Sequence, residues 1–115
     1  MKLALVAFEG EPMCFVHVLI NALDAQQRGI EVAVVIEGAA TALVRTFHEE
    51  PTAPFAAQYR KVKEAGLIMG VCKACAAKMG ALEASQTEGL SLLGEASGHP
   101  SLARLAMEGY QVITF

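Results

Sequence analysis

Four times in this chain a polar or helix-forming stretch stops at a glycine, and an apolar, largely β-branched run starts on the next residue. The joints are Arg28-Gly29 before Ile30 to Ile36, Ala65-Gly66 before Leu67 to Val71, Glu88-Gly89 before Leu90 to Leu93, and Glu108-Gly109 before Tyr110 to Phe115. A glycine just past a helix takes the left-handed conformation that closes it, at no steric cost because it has no Cβ. With an opening strand at Lys2 to Phe8, the pattern predicts five strands separated by helices. Such alternation specifies an α/β domain: three layers, α/β/α, around a mainly parallel five-stranded sheet. Leu3 to Phe8 and Val32 to Ile36 are continuously apolar, as strands covered by helices on both faces are.

The first helix is predicted to start at Pro12, whose fixed φ suits a first helical turn, and to run to about Gln27. His17, Asn21, Asp24 and Arg28 form one polar stripe on it. Phe15, Val16, Leu19, Ile20 and Leu23 leave it apolar on more than one side, which suits a helix held between its own sheet and a neighbouring subunit. The chain is therefore expected to form a homo-oligomer. Further helices are predicted over Ala39 to Phe47, Phe55 to Ala65, Lys73 to Met79, Ala81 to Thr87, and from His99-Pro100-Ser101 to Met107, with a Pro-marked loop at His48 to Pro54. At 115 residues, with no repeat or linker, residues 1–115 read as one domain.

Lys and Arg are scattered through a chain of net charge −3, which leaves no electrostatic footprint for nucleic acid. Mean hydropathy is +0.41, yet no apolar run approaches the ~18 residues of a membrane span. The short opening run before Glu9-Gly10-Glu11-Pro12 lacks the make-up of a signal peptide, so a cytoplasmic location is expected. Three cysteines in such a chain point to reactive thiols or a metal, not to a disulfide framework.

Ligands of an open parallel sheet bind at the carboxyl ends of its strands. That rim collects Glu9, Glu11 and Cys14 after the first strand, Glu37-Gly38 after the second, Cys72-Lys73-Ala74-Cys75 after the third, and Gly94 to Pro100 after the fourth. Cys72 combines a strand end, a helix N-terminus and an adjacent Lys73, features that lower a thiol pKa, so it is expected to be the nucleophile and the most acidic thiol. Cys75, one helical turn on, completes a Cys-x-x-Cys shared by redox dithiols and by half of many zinc sites. Cys14 reads either as a small buried hydrophobe or as a rim thiol, and His99 either as acid, base or ligand or as part of a helix cap. His17 and His48 read as surface residues, and Glu9 and Glu11 as partners of the first helix terminus. No glycine-rich phosphate loop follows the first strand, and no organic cofactor is assigned.

The strand end Ile68-Met69-Gly70-Val71-Cys72, the segment Ala76-Ala77-Lys78-Met79-Gly80 and the closing Glu108-Gly109-Tyr110-Gln111-Val112-Ile113-Thr114-Phe115 carry a resemblance. In them, and over essentially its whole length, the chain resembles the DsrE/DsrF-like family, which includes TusD sulfur-relay subunits and YchN-like proteins. The resemblance implies a persulfide-carrying cysteine at Cys72, sulfur donor and acceptor proteins as partners, and a homotrimer or hexamer. Cys75 and the Lys78-Met79 pair depart from the relay subunits and are more similar to a Cys-x-x-Cys branch of the family. The leading expectation is a sulfur carrier or thiol-exchange protein in which Cys75 resolves or protects Cys72. The alternatives are a thiophilic-metal protein using Cys72 and Cys75, with Cys14 or His99, and a ligand-binding or interaction module without thiol chemistry.

Overall fold

The computed structural model describes residues 1–115. Its strands are β1 (Lys2–Ala7), β2 (Glu31–Ile36), β3 (Ile68–Cys72), β4 (Leu92–Leu93) and β5 (Tyr110–Thr114). The helices are α1 (Pro12–Gln27), α2 (Thr41–Glu49), α3 (Ala56–Glu64), α4 (Lys73–Lys78), α5 (Leu82–Thr87) and α6 (Leu102–Met107), with a 3-10 turn at Gly38–Ala40. The strands form one sheet in the order β4-β3-β2-β1-β5, and every pairing is parallel. The four glycines of the repeated joint, Gly29, Gly66, Gly89 and Gly109, all have positive φ. Each closes a helix and delivers the chain to a strand, which is the expected three-layer fold.

Residue alternation sends β1 and β2 side chains into two unequal cores. Leu5, Ala7, Val34 and Ile36 pack with α1, α2 and α3 in a cluster of 20 buried residues, centred on Phe15, Phe47 and Tyr59. Ala4, Val6 and Val35 face the other way, where Leu105 of α6 is the only other fully covered apolar partner. On that thin side Met69, Leu93, Leu102 and Val112 stay partly open.

β4 is shorter than the sequence suggests, because the Leu90 N–H bonds to the Ser85 carbonyl in closing α5 and is lost to the ladder. What remains is tight. A Cβ on Gly70 would lie 2.6 Å from Leu93 Cγ and 2.7 Å from the Ser91 carbonyl oxygen, so a glycine in β3 is the condition for β4 to dock. The β2–β3 register also slips by one residue, from Val34↔Ile68 to Val35↔Gly70, just before the strand reaches Cys72.

Candidate functional site

Sheet register brings together residues that are far apart in sequence. Ile36 pairs with Val71, so the next residues, Glu37 and Cys72, leave β2 and β3 side by side. Cys72 pairs with Leu93, so the loop that begins at Gly94 starts next to the thiol. Helix α4 follows Cys72 without a linker, and one turn later the Cys75 N–H donates to Cys72 Sγ at 3.4 Å. The loop after β4 is tied down by the Ala74 N–H, which donates to the Gly98 carbonyl at 2.9 Å, and by an antiparallel bridge between Ala96 and His99. Ser97 holds a left-handed φ of 54° within that loop, a conformation uncommon for a non-glycine residue.

The outcome is a cluster of four side chains, Glu37, Cys72, Cys75 and His99, with one donor atom from each lying within 4.8 Å of all the others. His99 Nδ1 stands 3.2 Å from Cys72 Sγ and 3.7 Å from Cys75 Sγ. Cys72 has no exposed surface and Glu37 is 6% exposed, whereas Cys75 is half-buried and His99 is exposed. The imidazole thus lies between the buried thiol and water.

Burial dominates the electrostatics of this cluster. It pushes the Cys72 thiol up to about 12 from its usual 9.0; the Cys75 N–H pulls it down, while the Cys75 thiol and the Glu37 carboxylate push it further up. The expectation that Cys72 would be the most acidic thiol is therefore corrected. A helix terminus contributes about 0.3–1 kcal/mol, less than one pKa unit, whereas burial can move a group by about 3–5 units. Lys73 does not offset this, since it is exposed and its stem lies along Gly94. Burial likewise raises Glu37, and the nearby His99 pulls it back only in part.

Cys14 is exposed in the first turn of α1, neither buried as a small hydrophobe nor part of the four-residue cluster. The Ser101 side chain, not Ser97 or His99, caps α6 by accepting from the Arg104 N–H. His17 and His48 are exposed, as read from the sequence. Glu11 occupies the N-cap of α1 but makes no side-chain capping bond. Glu37 is the residue that sequence reasoning placed on the rim without giving it a role. Its one signal was position, as the first polar residue after an apolar parallel strand.

A profile of the DsrE/DsrF-like family matches residues 2–115. The chain belongs to the DsrE/DsrF-like family. No curated protein and no solved structure matches it significantly. The family is associated with sulfur relay, which gives the close Cys72–Cys75 pair of this member a chemical context. The chain has no helix long and apolar enough to cross a membrane. Chemically, the cluster offers a nucleophile next to a base, a dithiol, and a set of donors for a soft cation.

Proposed function

We propose that this DsrE/DsrF-like protein carries sulfane sulfur on Cys72, as a cytoplasmic sulfur-transfer or thiol-exchange protein of a Cys-x-x-Cys branch of the family. The observation that carries the reading is the 3.2 Å contact between Cys72 Sγ and His99 Nδ1. A thiol that burial holds protonated needs a base within hydrogen-bond reach, and the imidazole can take the proton as the thiolate forms. That thiolate attacks the outer sulfur of a donor persulfide: a new S–S bond forms at Cys72, the donor S–S bond breaks, and the donor leaves as a thiolate. No net oxidation occurs. An acceptor thiolate repeats the exchange at the outer sulfur and restores Cys72.

Cys75 supplies a second exit. Its thiolate attacks Cys72 Sγ and expels the outer sulfur as hydrosulfide, which oxidises the two thiolates to a disulfide and reduces the sulfane sulfur by two electrons. A dithiol reductant then reopens the disulfide. Cys75 is the accessible member of the pair and stands at 3.7 Å from the same imidazole nitrogen. Cys72 is fully buried, with the Gly98 carbonyl 3.8 Å from its Sγ, which would shield the loaded sulfur from stray thiols.

Loading metal-free protein with a low-molecular-weight persulfide and counting sulfane sulfur by cyanolysis tests the assignment. Cys72→Ser should lose loading, while Cys75→Ser should keep it and hold the sulfur longer. Retention of parental loading by Cys72→Ser defeats the reading. The proposal includes protein sulfur donors and acceptors and a homo-oligomer, trimer or hexamer. The exposed Met13 and Ile20 on α1 and the thin, partly open side of the sheet support assembly. Light scattering that finds a 12.2 kDa particle at micromolar concentration removes the oligomer.

A further inference from the structure

We propose that Glu37, Cys72, Cys75 and His99 form a four-ligand site for a thiophilic divalent cation of the zinc class, built from two thiolates, one imidazole nitrogen and one carboxylate oxygen. The donors come from three places in the fold: the end of β2, the end of β3 with the first turn of α4 that continues it, and the loop after β4. Tetrahedral coordination with metal–sulfur bonds near 2.3 Å and metal–nitrogen or metal–oxygen bonds near 2.0–2.2 Å sets donor separations of about 3.3–3.8 Å. Cys72 and Cys75 stand 3.2 Å and 3.7 Å from His99 Nδ1, and no separation in the set exceeds 4.8 Å. Closing the longest one needs about 1 Å of side-chain movement.

Three further features fit a metal site better than a chance meeting of polar groups. Cys-x-x-Cys on a strand end and a helical turn is a chelate, and the Cys75 N–H to Cys72 Sγ bond is one that a coordinated thiolate accepts without strain. Glu37 is almost wholly buried without a cationic side chain of its own, apart from the imidazole in the same cluster. The loop that presents His99 is held in place: Ala74 N–H binds Gly98, Glu95 accepts from the Ser101 N–H at 2.8 Å, and Arg104 holds Glu95 at 3.3 Å. His99 is exposed and Cys75 half-buried, so the cation reaches the site from their side, while Glu37 and Cys72 are buried.

Two thiolates select zinc, cadmium or cobalt(II) over magnesium and calcium, which prefer sets made wholly of oxygen. Four protein ligands leave no open position, so the bound ion ties β2, β3, α4 and the β4–α6 loop together and acts as no Lewis acid. Bound metal also draws electron density from the Cys72 thiolate and crowds it, which lowers the nucleophilicity that persulfide formation needs. Metal and sulfane sulfur are thus alternative occupants of one thiol. The metal site stands independently of the sulfur reading, because sulfur loading is measured on chelator-treated protein and metal binding on sulfur-free protein.

The test is cobalt(II) titration of reduced, chelator-treated full-length chain, followed by displacement with zinc in competition with a chromogenic chelator. The expected result is one ion per chain, with visible bands of tetrahedral cobalt and thiolate-to-cobalt charge transfer. Glu37→Gln, His99→Ala, Cys72→Ser and Cys75→Ser should each weaken zinc by at least about tenfold, and Cys14→Ser should leave it unchanged. Because a core variant can fail by misfolding, X-ray absorption of the zinc-loaded parent supplies a reading that needs no variant. It should show two sulfur neighbours near 2.3 Å and two nitrogen or oxygen neighbours near 2.0–2.2 Å. An all-sulfur or sulfur-free shell, no binding at micromolar zinc, or full affinity in Glu37→Gln overturns the site.

Discussion

Glu37 and Glu88 are both drawn away from water in this molecule, and their surroundings treat them in opposite ways. Glu88, at the end of α5, is met by Lys63 Nζ at 2.8 Å, by His48 Nδ1 at 2.7 Å and by the Tyr59 hydroxyl at 3.0 Å. Burial works against its charge, but those three partners outweigh burial and hold the carboxyl below its usual range. Glu37 is more deeply buried and has thiols and an imidazole for neighbours, so burial raises it. A polar group whose partners are all present fastens helices to each other, as Glu88 does for α2, α3 and α5. Glu37 has no such ring of ion-pair partners, and in this fold it sits beside the thiols.

The largest effect should come from removing the support under the loop that brings His99 to Glu37. Gly70→Ala forces a methyl group against Leu93 and the Ser91 carbonyl, and should cost about 3 kcal/mol by urea unfolding, the upper end for overpacking. It should also displace the loop carrying His99, because that loop starts from the Cys72–Leu93 pairing, while leaving the Glu88 cluster intact. Unchanged stability and unchanged zinc affinity in Gly70→Ala would break the link between β4 docking and the site.

Smaller, and opposite for the two carboxylates, are the effects of deleting each. Glu88→Ala strands Lys63, His48 and the buried Tyr59 hydroxyl, and should lower stability by about 2 kcal/mol at pH 7. Glu37→Gln in chelator removes a carboxylate whose charge burial disfavours and no Lys or Arg balances, and should leave stability unchanged or raise it by up to about 1 kcal/mol. Equal losses from the two variants would erase the distinction drawn between them.

Acid titration sharpens the same contrast. The Glu88 pKa is lowered on folding from 4.5, so below that value the unfolded chain binds more protons and stability rises with pH. The contribution of Glu88 is complete above about 4.5 and is lost as the pH falls through the lower folded value. Urea midpoints of the parent should drop through that window, and those of Glu88→Ala should drop less. Parallel curves for the two proteins would show that Glu88 does not hold the fold in acid.

Much of the architecture was written in local signals. Arg28-Gly29, Ala65-Gly66, Glu88-Gly89 and Glu108-Gly109 mark helix ends, because a left-handed closure depends on one residue and its immediate neighbours. Pro12 marks the start of α1 for a similarly local reason. Strand β4 was overestimated: the helix closure before it takes the Leu90 N–H, and only Leu92 and Leu93 pair with β3.

Alternation of strands and helices, and the rim shared by Cys14, Cys72, Cys75 and His99, were legible in the residues. Parallel topology places every strand end there whatever the packing. Packing in three dimensions brings Glu37 into the cluster, leaves Cys14 out of it, and pushes the Cys72 thiol up instead of down. Membership of the cluster follows from the register of β2 against β3, and the direction of the thiol from its complete burial, with Gly98 and His99 of the distant loop beside it. Both are set by residues distant in the chain, whereas helix closure is set by neighbours.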